Sequence, residues 1–110
     1  MDIKEETQKK IQELQTYEQN LQSLLLQRQA FQMELSETQN ALSEISSSKE
    51  DVFKMIGNIM VKTNKEKIEK ELKRKIELLS LRIKSIEKQE SEISKKVENL
   101  RKEVLKELER

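Results

Sequence analysis

The sequence predicts a mainly α fold: an antiparallel two-helix coiled coil with one β-hairpin at its bend. Three observations carry that prediction. Apolar residues recur at alternating spacings of three and four through both halves of the 110-residue chain, as a heptad seam requires. The only glycine, Gly57, stands near the midpoint, and the chain has no proline. Around it runs a short β-branched and apolar stretch, Val52-Phe-Lys-Met-Ile-Gly-Asn-Ile-Met-Val61, which continues neither seam. The expected organisation is a single domain, with helix over 1–48, hairpin over 49–63 and helix over 64–110.

In the first helix the seam falls at a positions Leu14, Leu21, Arg28, Leu35 and Leu42 and d positions Tyr17, Leu24, Phe31, Thr38 and Ile45. In the second it runs through Leu72, Ile76, Leu79, Ile83, Ile86, Glu90, Ile93, Val97, Leu100 and Val104. Each arm covers roughly 44 residues, or about 65 Å at the helical rise. If the chain reverses at Gly57, the numbers of facing residues sum to about 114, and every a position then meets a d position. Leu14 faces Leu100, Leu21 faces Ile93, Phe31 faces Ile83 and Leu42 faces Leu72. Each seam is defined by its own spacing, so their agreement favours a hairpin within one chain over a parallel dimer.

The ends of the elements carry their own signals. Asp2 with Glu5, and Thr63 with Glu66, have the spacing of a capping box. Ser46-Ser-Ser48 should end the first helix, because serine side chains compete for backbone hydrogen bonds.

Val52–Ile56 and Ile59–Thr63 flank Gly57-Asn58, and glycine at the first central position suits a two-residue II′ turn. Pairing puts Phe53, Met55, Met60 and Lys62 on one face. Val52, Lys54, Ile56, Ile59, Val61 and Thr63 fall on the other. Both faces are largely apolar, and an isolated two-stranded hairpin is marginally stable with open edges. Val52, Phe53, Met55, Ile56, Gly57, Ile59, Met60 and Val61 are therefore the expected assembly hairpin, joining strands of other subunits into a sheet or barrel. The alternative for 52–61 is a helical continuation or an irregular bend.

Composition narrows the function classes. Charged residues make up 39% and aromatics 3%, which suits a helical seam better than a globular core. With 22 basic and 21 acidic residues, no field points to nucleic acid. Residues 1–64 hold 7 basic and 10 acidic groups and residues 65–110 hold 15 and 11, an unevenness read as interspersed solvated faces. Histidine and cysteine are absent, removing the commonest general base and the usual metal ligands. No catalytic residue, cofactor or metal is expected. The Met1-Asp-Ile-Lys-Glu-Glu start lacks the apolar core of a signal peptide, and no 18-residue apolar run exists. The expectation is a cytoplasmic protein with no membrane partner.

Two features of the seams admit two readings. Arg28 and Glu90 occupy adjacent layers on opposite helices. They either pair to fix the register or snorkel outward over their own methylenes. Leu25, Leu26, Met33, Leu78 and Leu81 lie off the seam. They are either scattered surface residues or a subunit-packing or inner client-facing surface. Beyond the Leu14–Leu100 layer the seam meets Lys10, Thr7 and Glu107 and loses apolar quality, yet Ile3, Ile11, Val104, Leu105 and Leu108 remain. These five are the expected client-binding ends, since apolar residues there outrun the paired seam. Ordinary end-fraying is the competing reading.

Helix, hairpin and helix, with the hairpin reading Glu50-Asp-Val-Phe-Lys-Met-Ile-Gly-Asn-Ile-Met-Val-Lys62, resembles the β-type subunits of prefoldin. The likeness covers essentially the whole chain. It extends to Arg82-Ile-Lys-Ser-Ile-Glu-Lys-Gln-Glu90 and to the glutamine-rich first arm. A single hairpin favours the β type over the α type, which has two. Phe53 stands where the family leads one to expect tyrosine. The resemblance implies a hexamer of two α-type and four β-type subunits, with hairpins forming a β-barrel platform and coiled coils hanging from it. It further implies capture of unfolded polypeptides at the coiled-coil ends and delivery to a group II chaperonin in the cytosol, without ATP hydrolysis. One glycine could not build a glycine-rich phosphate loop, which agrees. The alternative function is a structural coiled-coil spacer or dimerisation arm of a larger complex.

Overall fold

Helix α1 spans Glu5–Ser47, strands β1 and β2 span Val52–Ile56 and Ile59–Thr63, and helix α2 spans Lys65–Glu109, in a computed structural model that describes residues 4–109. Both helices are uninterrupted, as segments without glycine or proline allow. Glu5 and Glu6 open α1, where carboxylates favour the positive end of the helix dipole. The expected cap at Asp2 lies outside the described residues. No helix among the described residues is long and apolar enough to cross a membrane.

The chain forms two compact units: a terminal unit of Met1–Gln29 with Lys84–Arg110, and a hairpin unit of Ala30–Ile83. Within the terminal unit, side-chain contacts link Lys10 to Glu107, Glu18 to Arg101 and Arg28 to Glu90. Numbers rise on α1 as they fall on α2, so the helices there are antiparallel. Ile86, Val97 and Val104 are its buried apolar residues. Leu14, Leu21, Leu24, Ile93 and Leu100 are half-buried. Lys96 Nζ lies 5.8 Å from the centroid of the Tyr17 ring, a cation–π contact that covers the aromatic.

Within the hairpin unit the same order holds. Glu34 pairs with Lys75 at 3.1 Å, and the Arg82 guanidinium stands 5.6 Å from the Phe31 ring centroid. Ile68, Leu79 and Ile83 are buried, each worth roughly 1.5–3 kcal/mol of gross burial. Thr38 occupies a seam position and is also buried. Its hydroxyl donates to the Glu34 carbonyl at 2.7 Å, so no polar group is stranded.

The join between helices and hairpin is specified by polar atoms. Ser47 Oγ donates to the carbonyls of Ser43 and Glu44, and the Ser48 hydroxyl accepts from the Glu50 amide at 3.2 Å. The last turn of α1 has no basic residue of its own. Lys65, the first residue of α2, supplies one: its ammonium donates to the carbonyls of Ser46 and Ser48, both at 3.0 Å. A cation is thereby placed at the negative end of α1. The α2 cap differs from expectation. Asn64, not Thr63, receives the Glu66 amide on its side-chain oxygen at 2.8 Å. Thr63 is instead the last ladder residue of β2, opposite Val52. Asparagine caps a helix at least as well as threonine, so the ladder keeps the threonine and the helix takes the next residue.

Candidate functional site: the hairpin faces and the chain ends

The ladder pairs Val52 with Thr63, Phe53 with Lys62, Lys54 with Val61, Met55 with Met60 and Ile56 with Ile59. Gly57 has φ +60°, and no non-glycine among the described residues has positive φ. A I′ turn needs positive φ at both central residues, so Asn58 excludes it and the turn is of the II′ kind. That turn fixes the register, and the register fixes the faces. Phe53, Met55 and Met60 share one face; Val52, Ile56, Ile59 and Val61 share the other.

Neither face is covered. Phe53, Met55, Ile56, Ile59 and Met60 are each between 52% and 66% exposed, and Val61 is exposed as well. Polar contacts sit only at the rim: Lys54 Nζ reaches Glu71 at 3.2 Å, and Lys62 reaches Asp51 at 3.5 Å. The sheet has two strands, so each also offers an outer edge of backbone donors and acceptors. A contiguous exposed apolar surface of this kind marks an interaction site, and its open edges can accept further strands.

The chain ends behave in the opposite way. Thr7 is only 2% exposed, and its hydroxyl donates to Glu107 Oε2 at 2.6 Å. Lys10 Nζ donates to Glu107 Oε1 at 2.5 Å and lies 3.5 Å from Glu103. The hydrogen bond from Lys10, and then that from Thr7, hold the Glu107 carboxyl below the usual carboxylate range. The hydrogen bond to Glu107 likewise raises the Lys10 ammonium above its ordinary value. Thr7, Lys10 and Glu107 thus continue the seam as a polar clasp where an apolar break was expected.

Val104 requires a correction. It is buried in the terminal unit because the clasp carries the helix pairing past it, and it is not available to a partner. Ile11 is half-buried. Leu105 and Leu108 are exposed, and at i, i+3 they share one face of α2. Ile3 lies outside the described residues. The register expectation alone would have found the clasp, since Thr7 and Glu107 also sum to 114. Attention to apolar residues hid it.

Arg28 and Glu90 are paired: Nε donates to Glu90 Oε1 at 2.7 Å, with both side chains largely shielded from water. Among the off-seam residues, Leu26, Met33, Leu78 and Leu81 are exposed, and Leu25 is half-buried.

Comparison with known proteins supplies a frame for these surfaces. A family model described as prefoldin subunit matches residues 8–110. The prefoldin subunit beta of Thermococcus kodakarensis is 42% identical over 90 residues, covering 80% of this chain and 77% of the relative. That of Pyrococcus horikoshii matches at the same identity and coverage. Among solved structures, the crystal structure of the prefoldin beta subunit from Thermococcus strain KS-1 superposes with a TM-score of 0.86 at 37% identity. It covers 94% of this chain and 92% of that one. The beta2 subunit of the same strain, at 19% identity and a TM-score of 0.71, shares the fold.

Proposed function

The chain belongs to the prefoldin family as a β-type subunit, and from that premise we propose that it joins two α-type and three further β-type subunits, holds unfolded polypeptides without ATP, and hands them to a group II chaperonin. That it is a chaperone subunit working in complex with other prefoldin subunits follows from the family itself. The finer assignments are our reading. In it, the hairpins close into a common β-barrel, and each chain contributes its ends to client capture. The cytoplasm is the compartment in which such a chaperone would meet its clients. The role is one of binding, with no chemical step.

The observation that carries this reading is the hairpin, whose two faces are apolar and exposed while both helices satisfy their own seams. In this reading the hairpin is the surface that other subunits complete. Burying five or six such side chains would contribute on the order of 1.5–3 kcal/mol each before entropy costs. At the other end, Leu105 and Leu108, with Ile3 and Ile11, are the proposed client contacts. Several weak apolar contacts from separate arms gain strength through effective concentration.

The test is to mix the chain with an α-type prefoldin subunit, record the native mass, and assay suppression of aggregation of a denatured model protein. A mass of two α-type and four β-type chains with suppression is expected. Removal of residues 1–11 and 104–110 should leave the assembly and strongly reduce suppression. An orderly homodimer with no effect on unfolded protein would identify a structural spacer instead.

A further inference from the structure

The hairpin places two methionines directly opposite each other on an exposed face. Met55 pairs with Met60, and they are 62% and 64% exposed. Ile56 and Ile59 flank the two-residue turn and form its hydrogen-bonded pair. The next pair outward, Met55 with Met60, is therefore non-hydrogen-bonded, the arrangement that brings side chains closest. Phe53 lies on the same face, diagonal to Met60. The chain has no cysteine and no tryptophan, so its most readily oxidised side chains are methionines, and this pair sits on the surface assigned to assembly.

We infer that Met55 and Met60 are an oxidation site through which peroxides control assembly of the free subunit. This rests on the reading of the hairpin as the assembly surface. In the reaction the thioether sulfur attacks one oxygen of hydrogen peroxide and the O–O bond breaks. An S–O bond forms, and the other oxygen leaves as water once it has taken up the proton. The sulfur loses two electrons and the peroxide gains them, so no further reductant or oxidant is needed. The product is a polar, chiral sulfoxide in place of a flexible apolar group. In water that change costs the free subunit little. Inside a packed interface the sulfoxide oxygen must be desolvated without a built partner, so oxidised subunits assemble more weakly. Burial of the pair in an assembly should in turn slow its oxidation, because peroxide must reach the sulfur to react.

Met33 supplies an internal control, because it is also exposed but belongs to α1. The chain is treated with hydrogen peroxide until peptide mass spectrometry finds both hairpin sulfoxides. Peroxide is removed, helical circular dichroism is recorded, and the product is titrated into an α-type prefoldin subunit by native mass spectrometry. The expected result is unchanged helicity and about a tenfold rise, per sulfoxide, in the concentration needed for half-assembly. Methionine sulfoxide reductase should reverse it. In the Met55→Leu, Met60→Leu double variant the concentration for half-assembly, whatever its value without oxidant, should no longer rise with peroxide, whereas in Met33→Leu it should still rise. If leucines disturb the hairpin, Met55→Gln with Met60→Gln gives an independent reading, with weakened assembly expected in the absence of oxidant. Doubly oxidised chain assembling at the untreated concentration would overturn the inference. So would a Met55→Leu, Met60→Leu chain as peroxide-sensitive as the parent. Failure of the untreated chain to assemble would instead overturn the hairpin reading on which the inference stands.

Discussion

The hairpin unit and the terminal unit invert each other's use of polarity. In the terminal unit a threonine and four charged residues enter the seam and are satisfied there: Thr7 and Lys10 on Glu107, and Arg28 on Glu90. In the hairpin unit isoleucine, methionine and phenylalanine are held out in water. Burying a polar group is tolerable where a partner within the same chain is in reach. Exposing a two-sided apolar hairpin is tolerable where a partner comes from elsewhere. The difference separates what one chain completes by itself from what it leaves for others.

The contrast breaks most severely if charge is placed on the hairpin. Phe53→Glu with Ile59→Lys puts one charge on each face, and assembly should be abolished while helical circular dichroism stays near that of the parent. Native mass and far-ultraviolet spectra check both halves of the statement. A smaller effect is expected at the other end. Leu105→Ser with Leu108→Ser should leave the assembly mass unchanged and require several-fold more complex for equal suppression of aggregation. Val104→Ser should act differently, lowering the stability of the helix pair, because that side chain is buried.

Within the terminal unit, Arg28→Ala should cost about 1–3 kcal/mol in denaturant unfolding by leaving Glu90 unpaired in a shielded seam. Replacing both residues by leucine should restore stability or exceed it. If the pair sets the register, spin labels at positions 15 and 99 in that double variant should give a broader distance distribution. The parent should give one short distance within a single chain.

The smallest effect concerns pH. Glu107 is held below its unfolded value, so its contribution is present above that value and is lost as pH falls through the lower folded one. Lys10 is raised, so its contribution is complete below the unfolded lysine value and is lost as pH rises through the higher folded one. The clasp is consequently intact across neutral pH. Amide exchange in residues 5–11 and 103–109, corrected for intrinsic rates, should be flat there and quicken only at the acidic and alkaline extremes. Thr7→Val should raise it at every pH.

Much of this was legible in the sequence, since periodicity reports apolar burial directly. The two seams, their register, the Gly57 turn and the pairing of the hairpin all follow from residues whose type dictates their environment. What escaped were places where a polar residue competes with an equally good neighbour or partners across the chain. Thr63 and Asn64 could each cap α2, and only the ladder pairing of Thr63 decides between them. Lys65 serves α1 from the far side of the hairpin, which no local pattern announces. Ile68 is buried one step before Leu72, the first residue of the expected seam. Arg28 and Glu90 lay in adjacent layers on paper, but whether they met depended on side-chain geometry.

Hydrogen–deuterium exchange of the chain, alone and mixed with an α-type prefoldin subunit, tests most directly whether the hairpin is where subunits join. Amides of residues 52–63 should gain strong protection on mixing, as outer strand edges find partners. Those of residues 5–29 and 84–109 should exchange much as before. Protection gained along the helices, with the hairpin left as open as in the free chain, would contradict it.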